Sequence, residues 1–250
     1  MMNEFMDKVT LITGAGRGVG REIALAFSSL GASVAANDIN PLNLDDTLDQ
    51  IHTMGGNAEA FIFDIAKRMP IEAMVAQVLE RFGRIDFLVS CASVMPRASI
   101  LAMDEWEFHR TIDVNLAGPF FSMQQVGRVM QKQGGGSMVT LVSALEPGNT
   151  PVAYAAYIAS QAGLVGLTQP VAQELRAYDI RVNTVCQHTL EWGLIASKSW
   201  DEAGFQTWLA SYPHLLLGDH PTLVGLVLFL CSQAASSLSG QVITVDGGRL

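Results

Sequence analysis

The chain reads as short apolar runs alternating with longer amphipathic ones. Val9 to Thr13 is apolar and β-branched, which predicts a buried strand. From there Val19, Ile23, Ala26, Phe27 and Leu30 recur at helical spacing, with Arg21 and Glu22 off that face. The alternation continues to the end. Strands are predicted over 32–38, 58–63, 85–89, 137–142, 180–186 and 241–245. Helices are predicted over 42–54, 70–82, 104–133, 153–178 and 221–231, the long one broken near Gly118-Pro119. The strands are apolar throughout rather than at every second position, which means cover on both faces. With right-handed crossovers the pattern gives an α/β, doubly wound parallel sheet of about seven strands. No linker or low-complexity segment interrupts it, so residues 1–250 read as one domain. The stretch 190–215 breaks the alternation with Trp192, Trp200, Phe205, Trp208 and Tyr212. It follows the C-terminal end of a strand, where ligands bind in such folds, and reads as a substrate lid; a surface excursion packed by its own aromatics is the alternative.

Between the first strand and helix lies Thr13-Gly14-Ala15-Gly16-Arg17-Gly18-Val19-Gly20. Position 19 is Val and position 21 is Arg, so G-x-G-x-x-G does not fit; T-G-x-x-x-G-x-G does. A tight turn alone would also call for glycine. Strand, glycine turn and helix together point to a phosphate cradle, with backbone N–H groups aimed at the anion. The second strand ends at Asp38, 18 residues after Gly20. A carboxylate there accepts hydrogen bonds from the adenosine ribose hydroxyls and repels a 2′-phosphate, which selects NAD over NADP. Arg17 pulls the other way, because a cation in the glycine loop can pair with that phosphate.

Composition narrows the partners. Apolar residues make up 49% and charged residues 16% of the 250, which means extensive burial. The net charge of −9 argues against nucleic acid and against an anionic membrane surface. No apolar run reaches membrane-spanning length. The first strand begins near residue 8, leaving no room for a cleaved signal peptide. Cys91, Cys186 and Cys231 form no C-x-x-C pair and read as small buried hydrophobes in a reduced, cytoplasmic setting. The five histidines show no metal-ligand spacing, so no metal is expected.

Three residues are candidates for chemistry: Asn115, Ser143 at the end of the fifth strand, and Tyr157 near the start of the next helix. Two hydroxyls beside a nicotinamide could polarise a carbonyl and hand it a proton. Here the sequence resembles the short-chain dehydrogenase/reductase family over nearly its whole length. The matching pieces are residues 13–20, Asp38, Asp64-Ile65, Val114-Asn115-Leu116, Ser143, Tyr157 with Ala159-Ser160, Arg181-Val182-Asn183, and 240–248. Within the family it is similar to reductases of the 3-oxoacyl-carrier-protein kind. The resemblance implies a three-layer Rossmann fold, a nicotinamide cofactor, a small carbonyl or alcohol substrate, and a homotetramer or homodimer. It also implies cofactor contacts from Gly14, Gly16, Arg17, Gly18, Val19, Gly20, Asp38, Asp64, Ile65, Ala92, Asn115, Tyr157 and position 161.

In that family an Asn-Ser-Tyr-Lys tetrad carries the reaction, and Asn115, Ser143 and Tyr157 match it. The Y-x-x-x-K lysine is Gln161, which keeps the helix face but supplies no positive charge. The usual N-N-A-G reads Ser90-Cys91-Ala92-Ser93, and the usual P-G reads Gln187-His188. His188 reads as a polar loop residue or as a source of charge near the cofactor. The Ser143-to-Tyr157 spacing is one residue longer than usual. Without the lysine, Tyr157 stays a phenol at neutral pH, which handicaps alcohol oxidation more than carbonyl reduction. Two functions follow: an NAD(H)-linked oxidoreductase, or a silent member that binds a dinucleotide or a partner without turnover.

Overall fold

A computed structural model describes residues 4–143, 152–187 and 220–245. Seven parallel strands form one sheet in the order β3-β2-β1-β4-β5-β6-β7. They are β1 (Val9–Thr13), β2 (Ser33–Asp38), β3 (Ala58–Ile62), β4 (Phe87–Ser90), β5 (Gly136–Ser143), β6 (Ile180–Gln187) and β7 (Val242–Val245). The helices are α1 (Gly18–Ser29), α2 (Pro41–Thr53), α3 (Arg68–Phe82), α4 (Glu105–Ile112), α5 (Gly118–Gln133), α6 (Ala155–Leu175) and α7 (His220–Cys231).

Adjacent strand residues go to opposite cores, which is why the strands are apolar at every position. In β1, Ile12 packs with Ile23 and Phe27 of α1, Leu44 of α2 and Val227 of α7. Its neighbour Leu11 packs with Ile71 and Met74 of α3 and Val126 of α5. The sheet is thus a middle layer between two helical ones. Near its lower edge, the buried Asp86 carboxylate accepts the Val9 N–H at 2.9 Å and pairs with Arg84 and Lys8. The Asp86 backbone also bonds both flanking strands, donating to the Val9 carbonyl at 2.8 Å and accepting the Ser137 N–H at 3.0 Å, and β4 itself runs from Phe87 rather than from 85.

Other boundaries shift for local reasons. Helix α3 starts at Arg68, and Pro70 sits inside its first turn, where a missing N–H costs nothing. Helix α6 starts at Ala155, not 153, because Ala153 has φ 74°. The break expected near Gly118-Pro119 does not occur. A wide π turn, Asp113–Ala117, joins α4 to α5 without interruption. Gly118 is required there, since a Cβ would lie 2.8 Å from the carbonyl oxygen of Ile65. Cys186 and Cys231 are buried as expected, whereas Cys91 is only half-buried. Burial pushes the Cys91 and Cys231 thiols up to about 12 and Cys186 up to about 11, which disfavours the thiolate at each. The lid expected over 190–215, and His188, lie outside the described residues.

Strand register gathers the site. Thr13 pairs with Ser90 and Asn37, and Ser143 with Gln187. The carboxyl ends of β1, β2, β4, β5 and β6 therefore share one edge. Connections from β1 and β4 leave the sheet in opposite directions, which opens a crevice between them.

Candidate active site

The glycine loop follows β1 and is held from three sides. Thr13 accepts the Cys91 N–H at 3.1 Å on its carbonyl and 3.3 Å on its hydroxyl, locking the loop after β4 beside it. Gly14 faces Ala92 so closely that a Cβ would lie 2.7 Å from the Ala92 nitrogen. Gly16 donates its N–H to Asp38 Oδ2 at 3.2 Å, and a Cβ on Gly16 would lie 2.7 Å from that same oxygen. Gly20 backs onto the Gly14 carbonyl with no room for a side chain. Gly14 and Gly18 have φ of 71° and 55°. Arg17 and Gly18 are exposed, while Val19 is half-buried against the α1-side core.

Arg21, which sequence reasoning placed simply off the apolar face, holds this loop. Its guanidinium donates to the Gly16 carbonyl, to Thr47 Oγ1 at 3.0 Å and to the Asn43 carbonyl at 3.2 Å, and pairs with Asp46 at 3.6 Å. Thr47, Asn43 and Asp46 lie more than 20 residues away, beyond the reach of local periodicity.

A dinucleotide phosphate fits this cradle. Helix α1 has no side-chain cap and no acidic residue in its first turn, so its N–H groups are left for an anion. Asp38 is held by the Gly16 and Asn40 N–H groups, the latter at 3.0 Å on Oδ1. Asp64 accepts from Arg110 at 2.7 Å and from the Ala66 N–H at 3.0 Å. Burial alone would raise its carboxyl; the hydrogen bonds and the charges of Arg110 and Lys67 bring it below the usual carboxylate range. Ile65 is buried against α5 through Gly118.

The second half of the site lies on β5, the π turn and α6. Ser143 Oγ and Tyr157 Oη are 2.5 Å apart, both buried. Gln161, one turn beyond Tyr157, accepts the Ser143 N–H on Oε1 at 2.9 Å. A lysine could not make that bond, because an ammonium accepts nothing. Asn115 sits on the π turn. Its side chain clasps Val94, accepting its N–H and donating to its carbonyl, each at 2.8 Å. Asn115 Nδ2 also donates to Ser160 Oγ at 3.1 Å, and Ser160 donates to the Tyr157 carbonyl at 2.6 Å. Burial raises the Tyr157 phenol, while hydrogen bonds from Ser143 and Ser93 oppose the rise.

The structure thus brings Asn115, Ser143, Tyr157 and Gln161 together beside the loops of Gly14 and Ala92. It places the matched Arg181 and Asn183 elsewhere. Arg181 donates to the carbonyls of Ala235 and Ser232, and Asn183 bonds Leu238 and Gln241, so both tie the C-terminal elements to β6. Among the described residues no group of three metal-ligating side chains occurs, and no helix is long and apolar enough to cross a membrane.

A parallel sheet with a glycine cradle at its switch point, and paired hydroxyls beside it, defines a dinucleotide-binding oxidoreductase of the Rossmann type. The profile of the family described as enoyl-(acyl carrier protein) reductase matches residues 14–249. An uncharacterized oxidoreductase of Thermotoga maritima is 38% identical over 250 residues, covering 98% of each chain. The 3-oxoacyl-[acyl-carrier-protein] reductase of the same organism is 35% identical over 245 residues, covering 96% of this chain and 97% of its own. A solved structure of 7α-hydroxysteroid dehydrogenase, complexed with NADH and 7-oxo glycochenodeoxycholic acid, superposes with a TM-score of 0.89. It is 32% identical, over 99% of this chain and 97% of that one. The chain belongs to the short-chain dehydrogenase/reductase family.

Proposed function

We propose that this chain reduces a small-molecule carbonyl with NADH, Tyr157 giving the proton and Ser143 holding the substrate oxygen. The observation that carries this reading is the Ser143–Tyr157 hydroxyl pair, 2.5 Å apart at the edge of the crevice. Gly14, Gly16, Gly18 and Gly20, with Arg17, Val19 and the α1 N-terminus, would hold the pyrophosphate. Asp38 would hold the adenosine ribose; Asp64, Ile65 and Ala92 would flank the nucleoside portions. Bound there, the dinucleotide supplies the hydride. Ser143 donates to the carbonyl oxygen as negative charge grows on it. Tyr157 transfers its proton to that oxygen, the transfer for which a protonated phenol is the right starting state. Gln161 holds the Ser143 backbone in place, and Asn115 fixes the loop after β4 against α6. No cation from position 161 favours the phenolate, so the centre is biased toward reduction.

The test is NADH oxidation against a panel of ketones, 3-oxoacyl thioesters and 7-oxo steroids. Turnover with at least one carbonyl is the expected result. NADH binding with no hydride transfer to any of them would instead establish the silent-member reading that Gln161 motivates.

Two substitutions probe the details. Asp38 meets a 2′-phosphate with like charge, so Asp38→Ser is expected to narrow the NADH-over-NADPH preference by roughly ten- to a hundredfold, the scale of one to two pK units of lost repulsion. Equal affinity of the wild type for both nucleotides, measured by fluorescence titration, contradicts the assignment. Gln161→Lys places a cation one helical turn from Tyr157. Each unit by which the phenol falls multiplies the phenolate fraction about tenfold. Alcohol oxidation at neutral pH is therefore expected to rise relative to reduction, which loses the acceptor that holds the Ser143 N–H. An unchanged oxidation rate in a folded variant would show that position 161 does not set the direction.

A further inference from the structure

Under the NADH reading, Asp38 is the group that keeps a 2′-phosphate out, and its carboxylate is held at both oxygens. Oδ1 accepts the Asn40 N–H at 3.0 Å and Oδ2 accepts the Gly16 N–H at 3.2 Å. An ionised carboxylate has about four acceptor sites, so each oxygen keeps one for a ribose hydroxyl. Asn40 in turn caps α2, its side chain taking the Leu42 N–H at 3.0 Å. Gly16 lies in a slot between Asp38 and α2, where a Cβ would come within 2.7 Å of both Asp38 Oδ2 and Asn43 Cβ. The Gly16 carbonyl accepts from Arg21 Nε at 3.1 Å. The same guanidinium reaches Thr47 Oγ1 at 3.0 Å and the Asn43 carbonyl at 3.2 Å, both on α2. Thr47 is fully buried, and its hydroxyl donates to the Ala15 carbonyl at 3.0 Å. These contacts close on themselves. Asp38 holds Gly16, Gly16 holds Arg21, Arg21 holds α2, and α2 returns through Asn40 to Asp38.

We propose that Arg21 and Thr47 set the nucleotide preference of this chain from behind the cradle, by holding Gly16 so that Asp38 stays aimed at the ribose hydroxyls. Both act through Gly16 and are positioning residues. With the ring closed, the carboxylate stands where a 2′-phosphate would go and cannot swing away from it. With the ring open, Gly16 is free to leave Asp38, and the carboxylate is free to turn toward solvent. Ribose binding then weakens, and the repulsion of a 2′-phosphate is relieved. Simple charge counting predicts the reverse. Arg21 is a cation beside the phosphate loop, so its loss alone would weaken the more highly charged NADPH more than NADH. The sign of the change in preference therefore separates positioning from charge. Thr47 separates them a second time, since it carries no charge.

The first readout needs no nucleotide, so the ring and the NADH reading on which its meaning rests are tested apart. Thr47→Val keeps the shape and every charge and removes the hydroxyl. Arg21→Met keeps a long side chain at a partly exposed position and removes the donors. In both, hydrogen exchange across residues 14–18 of the unliganded protein, followed by mass spectrometry, is expected to quicken about tenfold. NADH affinity, by fluorescence titration, is expected to fall about tenfold, the scale of one hydrogen bond to a charged group. NADPH affinity should fall less, so the preference narrows. Thr47→Ser, which keeps the hydroxyl, should match the wild type, and Arg21→Lys, which keeps one donor centre, should recover part of the preference. Unchanged exchange in the folded variants overturns the ring. A preference that widens in Arg21→Met and is unmoved in Thr47→Val leaves charge alone at work and overturns the proposal. If exchange quickens but the wild type binds NADH no better than NADPH, the reading of Asp38 fails and the ring of contacts stands.

Discussion

Tyr157→Phe is expected to cut carbonyl reduction at saturating NADH by roughly 10²–10⁴-fold, the usual worth of a positioned general acid. The substitution removes one oxygen and leaves the ring, which packs with Tyr154, Met95 and Ile158. NADH affinity and thermal stability should therefore stay near wild type. What is lost is the proton donor 2.5 Å from Ser143 Oγ. Stopped-flow or steady-state NADH absorbance measures it directly, and a Phe variant that reduces substrate at the wild-type rate removes Tyr157 from the chemistry. The pH dependence carries the same assignment. The Tyr157 phenol lies above its ordinary range, raised by burial and only partly offset by two hydroxyls. Reduction, which uses the phenol, should stay flat from neutral pH to near 10. Oxidation, which needs the phenolate, should climb about tenfold per pH unit over the same interval.

The second large effect is expected at Gly20. A methyl group there would meet the Gly14 carbonyl, with the Gly14 carbonyl carbon at 2.9 Å and Ala15 Cα at 3.4 Å. All three are backbone atoms, so the loop itself must give way. Overpacking of this kind costs about 1–3 kcal/mol. It also displaces the N–H groups that face the phosphate, so Gly20→Ala should weaken NADH binding by about ten- to a hundredfold and lower the melting temperature. Gly18→Ala is the informative partner, because a Cβ at Gly18 meets nothing and only its φ of 55° is strained. It should cost about 1–2 kcal/mol of stability, the penalty for a left-handed residue, and much less affinity. Equal affinity losses in the two variants would mean that steric fit around Gly20 does not shape the cradle.

The architecture was legible in the sequence because its cause is local. Strands covered on both faces must be apolar at every position, as Leu11 and Ile12 show by packing into different cores. The glycine loop was legible for a similar reason: each glycine answers a close approach, by backbone or by side chain, or a positive φ. The long helical stretch was harder. Gly118-Pro119 looks like a break, but the preceding π turn lets the proline occupy a first turn where no bond is forfeited. Least legible were the groups whose partners lie far along the chain. Arg21 is a surface position by periodicity and, by tertiary contact with Thr47 and Asn43, a clamp between α2 and the glycine loop. Gln161 appears as a missing lysine in the sequence, whereas in space it is an acceptor for Ser143. Ser93 appears as a lost glycine, whereas in space its hydroxyl donates to Asn115 Oδ1. Arg181 and Asn183 match the family pattern without a site role, and their bonds tie the C-terminal elements to β6.

The strand order has a consequence for how the chain comes into being. Strand β1 lies inside the sheet, yet the neighbour on one side of it, β4, is separated from it by 77 residues at the pair Thr10 and Phe87. At ~5–20 residues per second of synthesis, that neighbour emerges roughly 4–15 s after β1 does. During that interval the β1, β2 and β3 half can assemble, but it presents an open, apolar β1 edge to whatever is nearby. The Asp86 carboxylate that later takes the Val9 N–H arrives with β4 itself. The nascent half-sheet is therefore the stage at which mispairing and chaperone capture compete with completion of the fold.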